Sequence, residues 1–420
     1  MLIHAAVDND LYPPLFGGTQ RSFGLYRGLA RRHAVRVLCV VPNRAAPAAE
    51  TVAEGVALVR RKAWYTSAAW RLERAGLAPL FLAAYGHRAR VGRLLESLPG
   101  HPDVLAADLN LAGLLGAADA RLRVYTSHNV EYDYFRHIKS RVVAAGFWAE
   151  RLRRLEARAV EQADLTVVCG EEDARRMDEL YGASGDAVAV IPNGFDETRV
   201  PAPDEEARVR ARATLGIADH EYAGLFLGSD TSFNRQGLRR LLEDVMPRLA
   251  SGGFRLLVVG GVVGALGPRR PAWLIAQGET ERLAPFLLAA DAGLNPVTTG
   301  GGSNVKLPTY LGAGLAVVTT AFGLRGYASL REWASTAEPD RMAEVLRERP
   351  RGWRSRGLAR PPAIEAYAWG RLGERLGAIF EGRLSARGAG PAGAGAHRTA
   401  GSEVAGSAVP RAREAGGGRT

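Results

Sequence analysis

Residues Gly300-Gly301-Gly302-Ser303-Asn304-Val305-Lys306 put three glycines, two short polar side chains and a cation into one turn. The β-branched run Val317–Thr320 follows a short helical stretch after it. A glycine turn that feeds a helix leaves backbone N–H groups pointing outward, and with the helix dipole they favour an anion, typically a phosphate. Ser303 or Asn304 is expected to cap that helix. Lys306 then falls in the first turn, where the dipole disfavours a cation unless an anion sits beside it. Gly17-Gly18, after the first expected strand, forms a second turn of the same kind. Between the two lies Ser127-His128-Asn129-Val130-Glu131, just past the expected strand Val124–Ser127. The carboxyl ends of strands in an α/β sheet are where ligands bind, and an imidazole there can donate a hydrogen bond or exchange a proton near neutral pH. Asp8-Asn9-Asp10 has a spacing able to hold a divalent metal, but no further acidic cluster accompanies it, and a solvated loop is the expectation.

These residues need a scaffold of alternating strands and helices. The chain has 420 residues, 47% hydrophobic and 24% charged, which suits two globular domains. Helix-period and strand-like segments alternate, which predicts α/β architecture with parallel sheets. Leu2–Asp8 reads as a first strand rather than a signal peptide. Thr19 is a candidate cap for the helix that follows, and Phe23, Leu25, Tyr26 and Leu29 are its core candidates. Val35–Val41 is apolar enough to be buried on both faces. Residues 56–100 mix arginines with aromatics and are expected to form a surface helix pair. Glu150–Gln162 is amphipathic, and the Pro- and acid-rich stretch Val200–Arg208 reads as a linker. The pattern then restarts with strands at Gly224–Gly228, Arg255–Gly261 and Ala292–Val297, and with a helix from about Leu238. Gly260–Gly264 misses the spacing of a dinucleotide turn. Ala363–Arg383 is the last expected helix, and the Gly-, Ala- and Arg-rich tail beyond Ser385 lacks the apolar residues to order itself. Cys39 and Cys169 sit in apolar strand-like runs, as buried thiols of a reducing compartment would. The net charge of +11 fits an anionic small substrate or anionic lipid headgroups; nucleic acid is not the expected partner.

With these stretches in order, the chain resembles retaining glycosyltransferases of the family-4 type, which have the GT-B fold. The matching residues are Gly17-Gly18, Ser127–Glu131, Ala163–Val168, Val190–Asp196, Leu256–Gly261, and Ala289–Pro296 running on through Ser303–Lys306 to Thr320. The resemblance implies two Rossmann-like domains facing a cleft: an N-terminal acceptor domain over 1–200 and a C-terminal donor domain over 201–362. A crossover helix over 363–384 would return to the N-terminal domain, and 385–420 would be a disordered tail. It also implies a nucleotide-sugar as co-substrate, no metal and no other cofactor. Gly17 and Gly18 would approach the donor from the N-terminal domain, and His128 would hydrogen-bond the transferred sugar. Gly278 and its neighbours would border the base, and Gly302, Ser303 and Asn304 would offer amides to the pyrophosphate.

The chain departs from the family at two carboxylates of a Glu-x7-Glu pattern, whose positions are taken by Gly301 and Thr309. Thr309 keeps a hydroxyl there. The family's Arg and Lys after the first strand of the second domain fall near Ser229 and Gln236, beside Gly228. Arg235 and Lys306 are the expected cations for the departing diphosphate. The expected protein is a cytoplasmic glycosyltransferase, its basic surface allowing contact with the inner membrane face. Its acceptor is a glycan, lipid or small molecule. A nucleotide-sugar epimerase and a non-catalytic GT-B binding protein are the alternatives.

Overall fold

The structure is a computed structural model that describes residues 1–41, 50–81, 88–96, 98–116, 119–138, 142–350 and 360–388. Its first sheet is built from β1 (Leu2–Val7), β2 (Ala34–Val41), β3 (Glu50–Ala53), β4 (Val56–Lys62), β5 (Val104–Asp108), β6 (Leu122–Thr126), β7 (Leu165–Val168) and β8 (Val188–Val190). Their order is β3-β4-β2-β1-β5-β6-β7-β8, parallel except for the β3–β4 pair. The second sheet comprises β9 (Tyr222–Leu227), β10 (Phe254–Val259), β11 (Leu274–Gln277), β12 (Ala292–Asn295), β13 (Ala316–Thr319) and β14 (Ser335–Thr336), ordered β11-β10-β9-β12-β13-β14. Each sheet carries an apolar cluster on both faces, so its strands read as nearly continuous apolar runs. In each, the strand order reverses beside the first strand, between β1 and β5 and between β9 and β12. Crevices at such reversals, outside the carboxyl ends of the strands, are where α/β sheets take ligands.

The helices that matter for the site are α1 (Gly17–Ala30) after β1, α2 (Ser232–Arg240) after β9 and α3 (Lys306–Gly312) after β12. The last, α4 (Trp369–Gly388), buries Trp369, Leu372, Leu376, Phe380 and Leu384 in the same apolar cluster as Phe23, Tyr26 and Leu29 of α1. Glycine makes the crossing close. A Cβ on Gly24 would stand 2.5 Å from the Trp369 ring, and one on Gly28 would stand 2.8 Å from the Cα of Gly373.

Several boundaries differ from expectation. Ser303 and Asn304 do not cap α3: its N-cap is Val305, with no side-chain bond. α2 starts at Ser232 rather than near Leu238, because the Thr231 hydroxyl accepts from the Asn234 amide. Residues 56–62 are strand β4, not part of a surface helix pair; Arg60 is buried there through a two-oxygen contact with Asp10, 2.9 Å to each. Within the expected linker, Asp204 caps a helix over Glu205–Leu215. A 3-10 turn, Pro362–Tyr367, precedes α4, which extends to Gly388. Residues 385–388 are therefore helical, while 389–420 lie outside the described residues. Cys39 and Cys169 are both buried and unpaired.

Candidate active site

A cavity of about 460 Å³ lies between the two sheets and is lined from both sides. Gly17, Gly18 and Arg21 of α1, with His128 and Asn129 after β6, form the N-terminal wall. Gly228, Ser229 and Asn234, the Gly300–Val305 turn, and Lys306 and Thr309 of α3 form the other. The two glycine turns face each other: a Cβ on Gly17 would touch Val305 at 3.6 Å. Gly302 is left-handed, with φ of +56°, and a Cβ there would collide with the His128 carbonyl. One on Gly301 would collide with the Asn129 carboxamide. The position where the family carries a carboxylate is thus filled from the opposite domain. Asn193, in the turn after β8, joins the walls through Asn193 Nδ2 to the Ser303 carbonyl at 2.7 Å, and Tyr327 donates to the Asn304 carbonyl at 2.8 Å.

His128 is held by three elements. Its Nε2 lies 3.3 Å from Asp108 Oδ2, at the end of β5, and 3.3 Å from the Ser22 hydroxyl of α1. Thr126 donates to the other oxygen of Asp108 at 2.6 Å. Burial pushes the imidazole pKa down, but the Asp108 carboxylate outweighs it, and the net direction is up from 6.5. Glu131, whose Oε1 accepts from Asn129 Nδ2 at 3.0 Å, is pushed up to about 7 by burial and by the nearby Glu156.

Two cations in the cleft wall bond only to neutral acceptors among the described residues. Lys306 Nζ donates to Asn234 Oδ1 at 2.8 Å and lies 4.7 Å from the centre of the Phe226 ring. Burial without a carboxylate pushes its pKa down to about 7. Arg21 is buried, its Nη1 donating to the Ile191 carbonyl at 2.8 Å and to Asn193 Oδ1 at 3.1 Å. Arg27, also in the wall, is by contrast matched by Glu54, Asp196 and Glu197.

The structure gathers most of the expected residues. Gly17, Gly18, His128, Gly228, Ser229, Gly302, Ser303, Asn304, Lys306 and Thr309 all line the cavity. Arg235 does not: the early start of α2 turns it outward, and it pairs with the exposed Asp230 at 2.9 Å. Gly278 is not among the lining residues, and its neighbours Glu279 and Thr280 are. Thr309 spends its hydroxyl on the Val305 carbonyl at 3.0 Å. Arg21, Asn193, Asn234, Asp108 and Ser22 were not expected. Arg21 stands one helical turn after Gly18 and Asn193 lies inside the Pro-Asn-Gly turn, so both carried a sequence signal. Asp8 is engaged by Asn110 at 2.5 Å and Asp10 by Arg60, and no group able to hold a metal is found among the described residues.

Two facing Rossmann-like sheets with glycine turns on either side of a cleft define the GT-B fold. Residues 16–199 match the family model described as Glycosyltransferase Family 4, so the resemblance read from the sequence holds over that stretch. A D-inositol 3-phosphate glycosyltransferase of Nocardia farcinica is 33% identical over 187 residues, covering 43% of this chain and 40% of the relative. One from Rhodococcus erythropolis is 28% identical over 294 residues, covering 60% and 64%. In both cases the match spans less than two thirds of the relative's own length. Among solved structures, an α,α-trehalose-phosphate synthase (UDP-forming) from Burkholderia xenovorans, in complex with glucose-6-phosphate, superposes with a TM-score of 0.66 at 14% identity, over 90% of this chain and 99% of that one. Sucrose-phosphate synthase from Thermosynechococcus elongatus superposes at 0.62 and 16%, over 92% and 97%. WaaG, a glycosyltransferase involved in lipopolysaccharide biosynthesis, superposes at 0.59 and 19%, over 92% and 100%. At these identities the solved structures speak to the fold. No described helix is long and apolar enough to cross a membrane.

Proposed function

We propose that this protein transfers a sugar from a nucleotide-sugar donor to an acceptor hydroxyl. The observation that carries the reading is Lys306, which faces a cleft between two glycine turns with only neutral partners among the described residues. A cation left without a counter-ion in a half-buried wall is unfavourable until an anion arrives, and a diphosphate supplies one. The amides of Gly302–Asn304 and the Lys306 ammonium would hold the diphosphate and stabilise the charge it gains on leaving. His128, fixed by Asp108 and Ser22, would donate to the transferred sugar. Glu279, exposed in the same wall, offers the ribose a carboxylate that Thr309 does not. The acceptor oxygen bonds to the anomeric carbon as the bond to the diphosphate breaks. The diphosphate leaves with the bonding electrons and takes up the hydroxyl proton.

The UDP-forming structural relative and the relatives named for D-inositol 3-phosphate support a nucleotide donor and a hydroxyl acceptor. Retention and independence of metal follow from the family resemblance and are part of the proposal. A non-catalytic binding protein is the second reading, favoured by the loss of both family carboxylates at Gly301 and Thr309. Uridine, guanosine, adenosine and thymidine diphosphate sugars, each tested for a shift in thermal midpoint and for release of nucleoside diphosphate with and without a chelator, separate the two. One nucleotide class should raise the midpoint and be turned over under both conditions. A shift without turnover would favour the binding protein, and neither shift nor turnover would overturn the donor site.

A further inference from the structure

A second cavity, of about 230 Å³, lies on the N-terminal side of the cleft and shares Gly18 and His128 with it. A ligand seated there would be separated from a donor sugar only by the imidazole and the glycine turn. That is the place for the acceptor on the reading proposed above. Its walls carry Asp8, Asp108 and Glu131, with Ser22, Asn9 and Asn110 between them.

The titratable lining side chains of this chamber are acidic apart from His128. None of its described lining residues is a lysine or an arginine. The one lining group that can carry positive charge, His128, is already faced by Asp108. Cations that come near from the sequence are committed elsewhere, Arg60 to Asp10 and Arg21 to the carbonyl of Ile191. The polar side chains are also pre-set by one another: Asn9 and Asn110 donate to the two oxygens of Asp8 at 2.7 Å and 2.5 Å, and Asn129 donates to Glu131. A phosphate in this chamber would set a second anion beside Asp8, Asp108 and Glu131, with no lysine or arginine among the described lining residues to offset it, a like-charge arrangement that costs affinity. Hydroxyls fit it well, since each donates to a carboxylate and accepts from an amide or from Ser22. The apolar side of a ring has Leu11, Leu80 and Leu109 to lie against.

We infer that this chamber selects an unphosphorylated, polyhydroxylated acceptor, in contrast to the phosphorylated acceptor for which the curated relatives are named. Asp8 and Glu131 are its specificity-determining residues. The chemistry of the described wall is complementary to a neutral polyol and disfavours a phosphate monoester.

The test uses the full-length protein with the nucleotide-sugar that it turns over, and matched acceptor pairs: myo-inositol against inositol 3-phosphate, and glucose against glucose-6-phosphate. Transfer is read as kcat/KM for product formation above donor hydrolysis. Contact is read by saturation-transfer NMR in the presence of the nucleoside diphosphate. The unphosphorylated member of at least one pair should be favoured by about tenfold or more, which is a difference in transition-state binding. Asp8→Asn and Glu131→Gln should each narrow that ratio. Equal or better use of the phosphorylated member in both pairs would overturn the inference, as would the absence of NMR contact with either unphosphorylated compound. These outcomes are separate from failure of the proposed transfer itself. Loss of that reading would show as no donor turnover and no nucleotide-induced midpoint shift, whereas donor turnover with transfer only to phosphorylated acceptors would sink the acceptor inference alone.

Discussion

The two walls of the cleft solve different problems with different materials. Around the Gly300 turn the C-terminal wall is backbone and one cation: a glycine turn, the start of α3, and Lys306 leaning on a carboxamide and an aromatic ring. The N-terminal wall is a side-chain network, in which Asp108, Thr126, Ser22 and His128 fix one another across two strands and a helix. A wall of amides and an unmatched ammonium awaits an anion from outside. A wall whose charges are already matched, or lean negative, holds its own geometry and favours hydroxyls. On the proposed reading, the contrast would let one cleft bind a diphosphate on one side and present an uncharged nucleophile on the other without either ligand occupying the wrong place.

Removing the cation from the C-terminal wall should have the largest effect. Lys306→Ala is expected to lower kcat/KM for the donor by ~10²–10³-fold, the scale of losing one group aimed at developing charge. A loss under threefold in steady-state kinetics would mean that Lys306 does not face the diphosphate. The next effect is in protons. With its pKa pushed down to about 7, Lys306 is largely neutral in the free protein at about pH 8, and a diphosphate beside it restores the charge. Binding of a nucleotide-sugar at that pH should therefore take up close to one proton, seen by calorimetry in buffers of different ionisation enthalpy, and none in Lys306→Ala. The sign for stability is the reverse of the usual carboxylate case. Between about 7 and the ordinary 10.5 the unfolded chain holds the proton that the fold does not, so the ligand-free protein gains stability as pH rises through that window. The smallest effect belongs to the N-terminal wall. Asp108→Asn removes the charge that holds the His128 pKa up and leaves burial, which pushes it down. The imidazole midpoint followed by NMR should fall by about one unit or more. An unchanged midpoint would show that the two walls do not differ in this way.

Much of this was legible in the sequence because the scaffold announces itself locally. Strand runs such as Val35–Val41 and the glycine turns at 17–18 and 300–302 are contiguous signals, and each fell where it was expected. What could not be read depends on register between distant strands. Asp108 reaches His128 because β5 and β6 run parallel with Asp108 opposite Thr126, a pairing that no local pattern encodes. β4 was hidden because Arg60, Arg61 and Lys62 make its end look solvated, while Asp10 takes Arg60 inside. The outward turn of Arg235 followed from which of Ser229, Asp230, Thr231 and Ser232 capped α2. All four are good caps, and only the structure shows that Thr231 does it.

The Gly28–Gly373 crossing bears on how the chain comes into being. The apolar cluster under α1 has one of its sides supplied by α4, near the other end of the chain. During synthesis the first sheet emerges early, yet it must wait with an uncovered flank while the whole second sheet is made. Completion of the first domain thus waits until α4 has been made, and a message cut short before Trp369 leaves the apolar face of α1 without that cover.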